Sequence, residues 1–256
     1  MKDYQIYEQP LNKRLRTMLR LELLFDQLNY FSKAKSVWDN TIAVNVINDI
    51  LAFTSRTDIK TEVIKELERQ QTITENSLSA STGNEKKSIQ LIEQLKQLST
   101  ELHHHNGVIG NTLQTNIILN AAKQKSILPG SSGNFDSPLY LQWVNQPSEL
   151  RLHQLSEWNI CFKPLNDAIK LTLTVIRNSA EEIDQLAEHG FYQDNLEFSK
   201  PYQLIRVAVP NNSNYFPEIS AGKHRFSIRF LSSQSYYSTP QQATENVDFI
   251  LCKCCL

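Results

Sequence analysis

The residues whose types and spacing could do chemistry are two sets of cations. In Pro10-Leu-Asn-Lys-Arg-Leu-Arg-Thr-Met-Leu-Arg20, a helical step of about 100° per residue puts Lys13, Arg16 and Arg20 in one narrow stripe. Leu11, Leu15 and Met18 point away from it, and Leu21, Leu24, Phe25 and Leu28 continue the apolar side. Far along the chain, Lys223-His-Arg-Phe-Ser-Ile-Arg-Phe230 alternates strictly. As a strand it sets Phe226, Ile228 and Phe230 on one face and Lys223, Arg225, Ser227 and Arg229 on the other. Arginine grips a carboxylate or a phosphate through two parallel hydrogen bonds, which lysine does not reproduce. Two such pairs suit an acidic peptide or a phosphate backbone. Alone, the helical stripe reads more readily as an ordinary solvated face; the second basic element is what gives it weight.

Other clusters carry less. His103-His104-His105 resembles a metal-binding run. Adjacent helical residues diverge by about 100°, so three in a row cannot all ligate one ion, and a cationic helix C-terminus fits better. Cys252, Cys254 and Cys255 crowd the end of the sequence, with Cys161 far away. They form no disulfide framework and lie too close together to close a tetrahedral zinc site without help from His189 or Cys161. A strand end with loose thiols is the simpler expectation. Gly130-Ser-Ser-Gly133 could cradle an anion on backbone N–H groups, but it lacks the lysine and serine of a phosphate-binding loop, so a structural turn is expected. There is no Gly-x-Ser-x-Gly, no His-Glu-x-x-His and no Cys-x-x-Cys. The expectation is a protein that is not an enzyme, with no cofactor and no metal.

Composition bounds the partners. The chain has 256 residues, 26 basic and 27 acidic, for a net charge of −1. That balance argues against a global nucleic-acid binder, which is usually clearly basic, so any electrostatic function must be local. No apolar run approaches the roughly 18 residues that span a bilayer, and Met1-Lys-Asp-Tyr-Gln-Ile-Tyr7 has no apolar signal region. A cytoplasmic placement with no membrane partner is expected.

These cations need elements to position them. None of the seven glycines lies before residue 83, as long helices prefer. Asn12 is placed to cap the first helix and Asn40 a second. Asp58 opens a long amphipathic helix, and Ser79–Asn84 turns the chain into another from Glu85 through Leu102, giving an antiparallel hairpin. Further helices are expected from Leu113 to Lys125, from Ser137-Pro138, from Pro147-Ser148, and from Leu165 to about Leu186. After Gly190 the pattern changes to strands: Gln203–Val209, Lys223–Phe230 and Val247–Cys252. The short extended stretch Tyr4–Glu8 is unstable alone and is expected to join that sheet as a fourth strand, with the first helix beside it. The fold class is thus α+β. A helical domain spans 11–188, and 1–10 with 189–256 form a small antiparallel β-domain.

Several stretches together resemble one family. They are Pro10–Arg20, Lys65-Glu-Leu-Glu-Arg-Gln-Gln71, Leu128-Pro-Gly-Ser-Ser-Gly-Asn-Phe-Asp136, Gly190-Phe-Tyr-Gln-Asp-Asn195 and Arg225-Phe-Ser-Ile-Arg-Phe230. In this order they are similar to the ZapD family of bacterial cell-division proteins, which associate with the tubulin-like FtsZ. The resemblance implies a helical domain plus a β-domain, a symmetric homodimer, and bundling of FtsZ filaments at the mid-cell division ring. It also implies a basic pocket that receives the C-terminal tail of FtsZ, with Arg16, Arg20, Arg225 and Arg229 at its matching basic positions here; Lys223, on the same expected strand face, completes the candidate set. The competing expectation is a nucleic-acid-binding module using the same basic face. Against it, Phe226 and Phe230 alternate away from Arg225 and Arg229, leaving no stacking platform among them.

Overall fold

The computed structural model describes residues 3–56, 58–80, 85–127, 137–233 and 237–256. The chain divides into two compact units, one of residues 18–172 and one of residues 1–17 with 173–256. The α+β class holds: a helical N-terminal region, then antiparallel sheet that includes the N-terminal strand.

The unit of residues 18–172 is helical. It contains most of α1 (Lys13–Phe31), then α2 (Val37–Arg56), α3 (Ile59–Ala80), α4 (Glu85–His104), α5 (Asn111–Gln114), α6 (Ile117–Ile127), α7 (Pro138–Val144), α8 (Ser148–Ile160) and the start of α9 (Lys163–Arg177). Local side chains start these helices by satisfying orphan backbone N–H groups. Asn12 Oδ1 accepts from the Leu15 amide at 2.8 Å, Asp58 Oδ1 from Thr61 at 3.3 Å, and Ser137 Oγ from Tyr140 at 3.4 Å. Asn116 accepts from the Ile118 and Leu119 amides, which splits the helix expected from Leu113 to Lys125 into α5 and α6.

Asn40 departs from expectation. Helix α2 begins a turn earlier, where Ser36 Oγ accepts from the Trp38 amide at 3.2 Å. Asn40 is instead fully buried, donating to the Ala34 carbonyl and accepting from Arg151 Nε, both at 2.8 Å. The buried Arg151 guanidinium also donates to the carbonyls of Lys35, Val144 and Gln146. One cation thus ties the entry of α2 to the end of α7, its protons spent on neutral oxygens.

Helices α3 and α4 pack along one another as the expected hairpin, burying Val63, Leu67, Leu95 and Leu102. Buried Glu66 is held by Arg69 and Gln70 of its own helix, and Gln70 reaches the Thr172 carbonyl at 3.2 Å. Residues 81–84 of the expected turn, and Gly130–Gly133 with the rest of 128–136, lie outside the described residues.

The other unit holds β1 (Tyr4–Pro10), the end of α9, β2 (Ile183–Ala187), β3 (Phe191–Asn195), β4 (Tyr202–Pro210), β5 (Phe216–Ala221), β6 (Arg225–Ser232), β7 (Gln241–Gln242) and β8 (Val247–Cys255). These make two antiparallel sheets. One has the order β1-β4-β8-β2; the other has β6 between β3 and β5, with β7 also on β6. One cluster contains Val207, Val209, Phe249 and Leu251 from the first sheet and Phe226, Ile228 and Phe230 from the second. Two sheets sharing a core in this way form a sandwich. The Asp194–Lys253 bridge (2.7 Å) joins them as well. Burial raises the Asp194 carboxyl, but the Lys253 ammonium and the Asn195 amide outweigh it and hold it below its ordinary value.

The N-terminal strand joins β4 and β8 as expected, with Tyr4 opposite Pro210 and Pro10 opposite Leu204, but the expected Lys223–Phe230 strand does not share that sheet, because β6 pairs with β3 and β5 in the other one. Glu8 accepts from Arg177 at 2.8 and 2.9 Å and from Arg206 at 3.1 Å, all three being largely buried. The helix expected to reach Leu186 ends at Arg177. Ser179 Oγ caps the Ile176 carbonyl at 2.7 Å, and Ile183–Ala187 pairs with β8 instead. A turn at His189-Gly190, both with positive φ, then carries the chain from one sheet to the other, the backbone that tight two-residue hairpins need.

Candidate functional site

The first basic set rides on α1. Lys13, Arg16 and Arg20 are exposed, whereas Leu15, Met18, Leu21, Phe25 and Leu28 are buried. The i,i+4 spacing of Arg16 and Arg20 puts both on one helix face, with the boundary between the two units passing at Thr17. The start of α1 is fixed by Asn12 and by the Leu11 amide, which donates to the Gln203 carbonyl at 2.9 Å.

The second set is on β6. Arg225 and Arg229 are exposed and share a face, while Phe226, Ile228 and Phe230 on the opposite face are 0–1% exposed. Register names the neighbours of the outer face. Arg225 stands opposite Asn195 of β3, and Arg229 lies between Phe191 of β3 and Glu218 of β5. Glu218 Oε2 accepts from Arg229 Nη2 at 2.6 Å. Arg225 has no ion pair among the described residues. The two arginines therefore differ: one is partly neutralised by its cross-strand neighbour, the other is available to a ligand. A shallow polar hollow of about 650 Å³ lies beside them, lined by Gln9, Glu218, Ser220, Ser227 and Arg229.

Lys223 departs from the expected strand face. The strand starts at Arg225, and Gly222-Lys223-His224 is the tip of the β5–β6 hairpin, closed by the Gly222 amide donating to the Arg225 carbonyl at 2.9 Å. The Lys223 ammonium lies 5.7 Å from the centre of the Phe198 ring, and the His224 ring stacks on the same phenyl at 5.6 Å. Neither Phe198 nor Glu218 was singled out by the sequence. Phe198 sits in the polar run Glu197-Phe-Ser-Lys-Pro201, where one aromatic without a periodic partner is the only available signal.

The remaining candidates fall away from this site. His103 pairs with Glu68 and His104 bonds the Thr100 carbonyl, both at the end of α4. Cys252 and Cys254 are buried on β8, opposite Arg206 and Leu204. Burial pushes the Cys254 thiol up to about 12 and raises Cys252 as well, the reverse of what a metal ligand or nucleophile needs. Among the described residues, no three His, Cys, Asp or Glu side chains converge as metal ligands do.

Comparison with known proteins bears on what this arrangement is for. The family model ZapD, described as cell division protein, matches residues 19–229. The chain belongs to the ZapD family. The cell division protein ZapD of Methylococcus capsulatus (strain Bath) is 38% identical over 260 residues, covering all of both chains. ZapD of Bordetella petrii is 35% identical over 250 residues, 97% of this chain and 98% of its own. ZapD of Coxiella burnetii is 36% identical over 251 residues, 97% and 96% of the two chains. The similarity to these ZapD proteins runs through both units. Among the described residues, no helix is long and apolar enough to cross a membrane.

Proposed function

We propose that this ZapD-family protein acts in cell division by binding the C-terminal tail of FtsZ and, as a homodimer, cross-linking FtsZ filaments at the mid-cell division site. Membership of a cell-division family along the whole chain carries the proposal. Exposed arginines on α1 and β6 supply the chemistry that an acidic tail with a free carboxylate requires. A cross-linker needs two tail sites per particle, and a two-fold pair of chains supplies them most simply. Neither the basic residues nor the binding step calls for a catalytic group or a cofactor.

Sedimentation of FtsZ filaments tests this directly. The protein should drive full-length FtsZ into readily pelleted bundles and leave FtsZ lacking its C-terminal tail unbundled. Equal bundling of the two forms would place the contact elsewhere. Only monomer in analytical ultracentrifugation at micromolar concentration would remove the cross-linking step.

The nucleic-acid alternative has weaker support. The overall charge is −1, and Phe226 and Phe230 are sealed in the sandwich core, so β6 offers cations without an aromatic ring of its own on which bases could stack. A gel shift with single- and double-stranded DNA at moderate salt separates the two.

A further inference from the structure

Phe198 is 80% exposed. A bare phenyl ring in a loop is not held there by packing, yet it is furnished on two sides: the His224 imidazole stacks on it and the Lys223 ammonium approaches it. Beside it opens a cleft of about 270 Å³, lined among others by Leu11, Leu196, Pro201 and Tyr202. The lining combines buried Leu196 and part-buried Leu11 and Tyr202 with the exposed cations Lys200 and Lys223. Its one carboxylate, Glu197, is taken by Lys200 at 2.8 Å. That leaves Lys223 unopposed at the mouth, two residues before Arg225. Leu11 belongs to the same wall and leads straight into the cap of α1.

An exposed aromatic that borders a concave apolar surface, with cations around it, has the composition of a binding hot spot. A ligand that fits must bring an apolar side chain to cover the ring and fill the cleft. It must also bring negative charge for Lys223 and Arg225, because each cation held near an apolar contact loses water on binding. A peptide combining acidic residues with an aliphatic or aromatic one meets both demands; a purely acidic peptide meets only the second.

We infer that Phe198, with Lys223 and His224 at the hairpin tip, forms an anchoring subsite that takes an apolar side chain of the acidic FtsZ tail. This rests on the tail-binding function proposed above. The cations then set the on-rate and the salt dependence, and the Phe198 cleft sets residence time and selects tails with an apolar residue in register.

The test uses the whole protein and a fluorescein-labelled FtsZ tail peptide, read by anisotropy across a salt series. Phe198→Ala should weaken binding about tenfold or more with an unchanged slope against salt, and Phe198→Trp should retain affinity. Arg225→Glu should lose binding and flatten the slope. A peptide with its apolar residues changed to Ser should bind wild type and Phe198→Ala equally weakly. If Arg225→Glu abolishes binding while Phe198→Ala binds as wild type, the subsite is wrong and the tail-binding function stands. If wild type does not bind the peptide at all, both fall. Tight binding of a single-stranded oligonucleotide that Phe198→Ala removes, with no peptide competition, would assign the ring to base stacking and overturn the inference. Because Phe198 is exposed, its variants should keep the native circular-dichroism spectrum.

Discussion

Glu218 and Arg229 face each other across β5 and β6 and close an ion pair of 2.6 Å, so the basic face of β6 carries its own competitor for an incoming carboxylate. Both side chains are about half exposed, and such pairs contribute about 0–1 kcal/mol to stability. Removing the acid should therefore cost the fold little and release Arg229. Glu218→Gln is expected to tighten FtsZ-tail binding by about two- to fivefold, within the energy of one exposed pair, with an unchanged melting temperature. Weaker binding would mean that Glu218 orients Arg229 for the ligand instead of competing with it.

Arg225 should matter more than Arg229, since it starts without an ion-pair partner among the described residues. Arg225→Glu should abolish tail binding and bundling at physiological salt, and Arg225→Lys should weaken them measurably but less, because the bidentate fork is lost while the charge remains. Arg20→Glu should behave as Arg225→Glu does. Wild-type binding should fall as salt rises, with screening over about 10 Å at 0.1 M. A folded Arg225→Glu protein that still bundles FtsZ normally would move the site off β6.

Glu8 offers a stability test. It is the common acceptor for two largely buried guanidinium groups, so Glu8→Ala removes the carboxylate that both Arg177 and Arg206 bond. A loss of about 2–4 kcal/mol is expected, visible as a lower denaturation midpoint in urea. Deleting residues 1–9 should cost more, by stripping β4 of its neighbour and exposing an edge. Little change in either variant would mean that β1 is not integral to the sandwich.

The buried thiols predict an alkaline limit. Cys254 rises from an ordinary value of 9.0 to about 12 in the folded protein, so the unfolded chain gives up its thiol proton first as pH rises. The stability from that protonated thiol is fully present below about pH 9 and is lost progressively toward pH 12. Cys254→Ala should flatten the fall in stability over that window. At pH 8, a thiol reagent should reach the half-exposed Cys161 and Cys255 in the native state, and Cys252 and Cys254 only on unfolding. Rapid native labelling of four thiols would contradict the buried arrangement.

Much of this was legible because each face is written in a repeating period. The strict alternation of Arg225–Phe230 set both core and surface of β6, and the leucine spacing of α1 isolated its arginines. Asn12, Asp58 and Ser137 cap as their types require. What escaped was decided by distant partners. Asn40 looks like a cap until Arg151, 111 residues away, draws it inside. Ile183–Ala187 has no strong alternation and becomes a strand only because β8 offers an edge. Phe216–Ala221 begins with Phe-Pro, which hides a strand whose Pro217 sits in an edge position where its missing N–H costs nothing. Lys223 fits the alternation but falls in the hairpin tip, and Phe198 gains meaning only when that tip folds over it.

The pairing of β1 with β4 sets an order of events during synthesis. Tyr4 finds its partner at Pro210, and β4 in turn leans on β8 at the end of the chain. Residues 18–172 are contiguous and can close as they leave the ribosome. The opening strand cannot; it must wait, unpaired, until almost the whole chain has emerged. Contacts so far apart in sequence form slowly, so the nascent protein passes through a stage in which its helices are finished and the arginine-bearing sandwich is not. Premature termination between α9 and β4 would thus release a chain with residues 18–172 complete, an unpaired first strand, and no complete sandwich.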